Sequence, residues 1–165
     1  MLEFRRLLVI AALVFGIAFV GQPTRANALP ADLCALLPTA SVSRTLGQTF
    51  DNPAESVAPR PFANTNTGTD CNYPSKSGAE SKLWFRVYVD PSPAAATDLF
   101  AKLRVFYSPP TAVSKLGDEA YLDPQHALHV RKGRVRFYLN LSPVGDATAT
   151  EKQLEALAGK VLGAL

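Results

Sequence analysis

Leu83, Phe85, Val87 and Val89 alternate with Trp84, Arg86 and Tyr88. That period of two predicts a strand over 81–89 with one apolar face and one mixed face. Asp90-Pro91 ends it. Ser92 then caps a helix that begins on Pro93 and runs to about Phe106, with Ala95, Leu99, Leu103 and Phe106 along one stripe. Pro109-Pro110 terminates that segment. Gly117-Asp118 reads as a turn into a strand from Glu119. Residues 127–131 and 134–141 alternate again and predict a hairpin closed over Lys132-Gly133. In that register Val130 faces Val135 and Leu128 faces Phe137, while His129 meets Arg136 and Ala127 meets Tyr138. A helix follows from Thr148, where Thr148 and Glu151 fit a capping box. Leu154, Leu157, Ala158, Val161, Leu162 and Leu165 give it a continuous apolar stripe.

The first half is less periodic. Residues 31–37 predict a short helical turn that Pro38 breaks. Thr39 can cap a second helix through Leu46, which Gly47 stops. Residues 48–70 read as a loop holding Pro53, Pro59 and Pro61, with a strand near Thr49-Phe50 or Ser56-Val57-Ala58. A loop of that length is either tied down or functional. The expected architecture is α+β: a mostly antiparallel twisted sheet of about four to five strands, packed with the amphipathic C-terminal helix and further short helices.

The chain is 165 residues long and opens with a secretory pattern. Arg5 and Arg6 precede an apolar run from Leu7 to Val20, and Ala26-Asn27-Ala28 offers a cleavage site. The run is shorter than the roughly 20 residues of a spanning helix. We therefore expect a signal peptide over 1–28 and one extracytoplasmic domain over 29–165, periplasmic or secreted, with no transmembrane segment after cleavage. Removing Glu3, Arg5, Arg6 and Arg25 with the leader takes the chain from 17 basic and 14 acidic residues to 14 and 13. The mature balance gives no reason to expect nucleic acid. Cys34 and Cys71 are the two cysteines, and in an exported chain they are expected to pair.

Several features occur together along the chain: Cys34-Ala35-Leu36-Leu37, the Leu46-Gly47 turn, Cys71-Asn72-Tyr73, and Leu116-Gly117-Asp118-Glu119-Ala120-Tyr121. With the hairpin and the C-terminal helix, this series resembles the DUF3558-like small extracytoplasmic domains of bacterial envelope proteins. The resemblance spans nearly the whole mature chain and implies an extracytoplasmic α+β domain. It carries over no catalytic residues. The chain departs from the lipoproteins of that group at Ala31-Asp32-Leu33, where a lipobox would precede Cys34.

No nucleophile elbow, zinc-protease helix or glycine-rich phosphate loop is present in the sequence. His126 and His129 are three apart, a spacing that puts them on opposite faces of a strand, so no metal site is expected, and no cofactor. The mixed sheet face is the candidate site. Trp84, Arg86 and Tyr88 share it from one strand; His129, Arg131, Arg134, Arg136, Tyr138 and Asn140 share it from the hairpin. Aromatic rings interleaved with arginines can stack on a ligand and pair with an anionic group. The same side chains can instead cover the sheet with their charged heads in solvent, and a helix or the 48–70 loop can lie over them. The expected function is a non-catalytic binding or accessory domain of the cell envelope. It would hold an anionic or amphipathic small molecule, or an envelope protein, on that face. A hydrolase-like enzyme with a dispersed site is the alternative.

Overall fold

The computed structural model describes residues 29–62, 65–76 and 81–165. The expected signal peptide lies outside them. Seven strands form one antiparallel sheet: β1 (Ala54–Ala58), β2 (Gly68–Pro74), β3 (Lys82–Val89), β4 (Thr111–Val113), β5 (Glu119–Leu122), β6 (Leu128–Lys132) and β7 (Val135–Ser142). Their order is β1-β2-β3-β7-β6-β5-β4. Among the described residues three α-helices accompany it: α1 (Thr39–Leu46), α2 (Pro93–Phe106) and α3 (Ala147–Ala164), with a 3-10 turn over Leu33–Leu36. The expected count of four to five strands is too low. β1 contains the strand expected at Ser56-Val57-Ala58, but β2, which starts inside the segment read as loop, and the three-residue β4 add to the expected set. β1 leaves four of its five side chains exposed, so it has no apolar period to read.

The two faces of the sheet are covered differently. On the first, Leu83, Phe85 and Val87 of β3 meet Leu128, Val130, Phe137, Leu139 and Leu141 of the hairpin. α3 closes this face with Leu154, Leu157, Ala158 and Val161, and α1 adds Val42 and Leu46. Burying each large apolar side chain contributes roughly 1.5–3 kcal/mol. Cys34 and Cys71 are joined by a disulfide, with Cα atoms 5.6 Å apart, linking the N-terminal turn to β2. The Tyr73 hydroxyl, two residues on, donates to the Leu37 carbonyl at 2.6 Å and reinforces that link. Burial, aided by Asp32, raises its pKa well above the usual tyrosine value.

Local signals hold at most boundaries and shift at four. Ser92 Oγ accepts from Ala95 N, with Pro93 in the first turn, as expected for α2. Its buried stripe, however, is Ala96, Leu99, Phe100 and Leu103, and Phe106 is 70 % exposed. Pro38, not Thr39, sits at the N-cap of α1. Asp146, not Thr148, caps α3 by accepting from Ala149 N, which leaves Glu151 free to bond His126. The hairpin turns over Gly133-Arg134, because the left-handed residue, Gly133 with φ 56°, comes first in the turn. His129 therefore pairs with Tyr138, Arg131 with Arg136 and Val130 with Phe137. The slip from the expected register is even, so every side chain keeps its face.

Candidate functional site

Register decides which polar side chains meet on the second face. Residues Tyr121, His129, Tyr138, Arg86 and Asp70 lie side by side across β5, β6, β7, β3 and β2. The neighbouring row runs Glu119, Arg131, Arg136 and Tyr88. Arg136 stands 4.8 Å from the Tyr88 ring centroid and Arg86 5.7 Å from that of Tyr138. Rings and guanidinium groups thus form one continuous layer, as the alternation in the sequence implied.

The charges in this layer are paired. Arg136 Nε and Nη2 donate to Asp90 at 2.5 and 3.1 Å, and both side chains are 3 % exposed. Arg86 Nη2 donates to Asp70 at 2.7 Å. Arg131 donates to Asp118 and to Glu119, each at 3.0 Å. His129 Nε2 lies 3.0 Å from Asp123 Oδ2. Burial works to raise the Asp123 carboxyl, but the His129 hydrogen bond and the backbone N–H groups of Ala127 and Gln125 outweigh it, so its pKa falls below the usual value. These carboxylates were not legible as partners. Asp90 reads as a strand end and Asp70 as loop; cross-strand register brings Asp70 to Arg86, and the residues just after β3 and β5 bring Asp90 to Arg136 and Asp123 to His129.

α2 crosses over β6 and β7 on this face and sets Phe100 on Tyr121, ring centroids 5.1 Å apart. The segment at Pro59 reaches over from β1, where the Tyr88 hydroxyl donates to the Pro59 carbonyl at 2.9 Å. Helix, segment and sheet leave between them a cavity of about 320 Å³. Its walls are Arg86, Tyr88, His129, Arg136, Phe137 and Tyr138 from the sheet, Phe100, Leu103, Phe106 and Tyr107 from α2 and its end, and Pro59, Arg60 and Pro61. The face is neither open nor sealed: a helix covers part of it and roofs a hollow over the rest.

Five of the expected residues therefore share one cavity: Arg86, Tyr88, His129, Arg136 and Tyr138. Trp84 lies outside it, half-buried beside Lys82, whose ammonium is 5.4 Å from the indole. Arg131 lies outside too, because Asp118 and Glu119 hold it at the β5–β6 end of the sheet. Tyr107, Phe100, Leu103 and the Pro59–Pro61 segment were missed. Tyr107 directly follows α2, and its ring sits 5.1 Å from His129; a helix stripe one position round from the expected one points to this placement. Burial, aided by Asp123, pushes the Tyr138 hydroxyl up to about 12.

The two histidines do not converge. His126 lies outside β6 in a left-handed conformation, φ 61°, with Nδ1 2.9 Å from Glu151 Oε1 of α3. At the other end of the fold, Asp32, Cys34 and Glu55 bring metal-type donor atoms within 4.8 Å of one another. The Cys34 sulfur is consumed by the disulfide and cannot serve as a thiolate. No described helix is long and apolar enough to cross a membrane. No protein-family model matches this chain, and no curated protein matches it either.

Proposed function

We propose that this chain is an extracytoplasmic, non-catalytic binding domain of the bacterial envelope, and that it holds a small amphipathic ligand in the cavity beneath α2. The observation that carries the reading is the composition of the cavity wall. Apolar and aromatic side chains dominate it, and Arg86, Arg136 and His129 each already have a carboxylate partner. A wall of that kind favours an uncharged body with a few hydrogen-bonding groups over a free anion. Arg60 is exposed at the rim and has no ion-pair partner among the described residues, so an anionic end of the ligand would sit there, at the mouth. The disulfide and the export signal read from the sequence support the compartment, and the resemblance to DUF3558-like domains points the same way.

The hydrolase-like alternative rests on the Asp123–His129 pair. The described cavity wall has no serine, threonine or cysteine for that pair to activate.

N-phenyl-1-naphthylamine, an uncharged amphipathic fluorophore, tests the binding reading. The protein should raise its fluorescence saturably. Tyr107→Ala combined with Tyr138→Ala should weaken that binding by about tenfold or more, through lost aromatic contact. A wild-type protein that gives no saturable enhancement, or a folded double variant that binds as before, would contradict the proposal.

A further inference from the structure

Within the cavity, one side chain is arranged to choose among amphipathic molecules. His129 is 6 % exposed, and its ring lies parallel to that of Tyr121 with centroids 4.6 Å apart. Tyr138 at 5.0 Å and Tyr107 at 5.1 Å flank it. Asp123 is fully committed around it: Oδ1 accepts from Gln125 N at 2.9 Å and Ala127 N at 3.0 Å, and Oδ2 faces His129 Nε2. An ionised carboxylate can only accept, so Nε2 must carry the proton. That leaves Nδ1 as the ring nitrogen open to a ligand. Nδ1 has no hydrogen-bond partner among the described residues, and the ring lines the cavity. A ligand hydroxyl, able both to donate and to accept, would give that nitrogen a partner inside the cavity.

We propose that His129 Nδ1 is the polar anchor of the cavity, and that the ligand is a neutral ring-bearing alcohol or phenol whose hydroxyl hydrogen-bonds to it while its ring lies against Tyr107 and Tyr138. The inference rests on the binding reading above and narrows its ligand class. A carboxylate can only accept and an ammonium only donate, whereas a hydroxyl can do either at Nδ1. The aromatic flanks of His129 suit a ring beside that hydroxyl.

Two probes of nearly equal size separate the hydrogen bond from the apolar contact: 2-naphthol, which has the donor, and 2-fluoronaphthalene, which lacks it. Calorimetry or fluorescence titration of the purified protein should give 2-naphthol an affinity about three- to tenfold higher, the range of one net hydrogen bond. The Nδ1 resonance in nitrogen-15 spectra should move when 2-naphthol is added and hold its position with 2-fluoronaphthalene. In His129→Phe the preference should vanish. Should that variant fail to fold, the wild-type probe pair and the nitrogen spectrum still decide. Equal affinities, or an Nδ1 resonance that 2-naphthol leaves unmoved, would overturn the anchor while leaving the cavity reading standing. If neither probe binds, and N-phenyl-1-naphthylamine does not either, the cavity reading fails and the anchor with it.

Discussion

Arg136 and Asp90 show how a polar layer persists beneath a helix. Two hydrogen bonds align the charges, and the Tyr88 ring covers the guanidinium. Desolvation of such a pair is offset only while both members are present. Arg136→Met should therefore destabilise the fold by about 3–5 kcal/mol, because it leaves Asp90 buried and unpaired. Arg136→Met combined with Asp90→Leu should recover most of that loss, and urea unfolding of the three proteins checks it. The tyrosines make a second prediction at this scale. Tyr138 stays protonated to about 12 in the fold, against an ordinary value of 10.0. Above pH 10 the unfolded chain releases a proton that the folded chain keeps. Stability contributed by Tyr138 is thus complete below pH 10 and is lost as pH rises from 10 towards 12. Tyr73 and Tyr121 are raised as well and act in the same sense. Urea midpoints should hold to about pH 10 and fall between about pH 10 and pH 12, and a flat profile there would contradict this.

At the scale of elements, the disulfide and two glycines hold the first half of the chain and the β4–β5 turn in place. The Cys34–Cys71 bond closes a 37-residue separation between the N-terminal turn and β2. Replacing both cysteines with alanine should cost about 3–4 kcal/mol by the chain-entropy account. Thermal melts of the double variant and the parent give the comparison; equal midpoints would count against that role. Gly68 opens β2 where a Cβ would lie 2.5 Å from the Val87 carbonyl oxygen. Gly117, φ 60°, lets the turn approach the Arg131 carbonyl, to which Asp118 N donates at 2.8 Å, while the Asp118 carboxylate accepts from Gly133 N. The Gly-Asp step legible in the sequence is therefore a clamp between two turns.

These elements also show what a sequence reader can see. β3, β7, α2 and α3 bury a regular stripe, and their periods announce them. β1 and β4 lie at the sheet edges with mostly exposed side chains, so nothing periodic marks them. β2 alternates Cys71 and Tyr73 inward, but only over a short stretch between turn residues. For the site, alternation was enough to place Arg86, Tyr88, His129, Arg136 and Tyr138 on one face. Their carboxylate partners and the roof formed by α2 depend on register and helix rotation, which local pattern does not fix.

At the scale of the whole molecule, the two faces of the sheet divide the labour. α1 and α3 seal the first face into the apolar core. On the second, α2 and the Pro59 segment stand off from a layer of paired charges and rings and enclose a hollow. The central claim is that this hollow is occupied when the protein is at work in the cell. Native mass spectrometry of the protein purified from its native source under mild conditions tests it most directly. The account predicts a population heavier than the chain by the mass of one small amphipathic molecule. That population should be lost from Leu103→Trp, which places a larger ring in the cavity. Protein that carries only its own mass, or a Leu103→Trp variant that retains the same added mass, would contradict it.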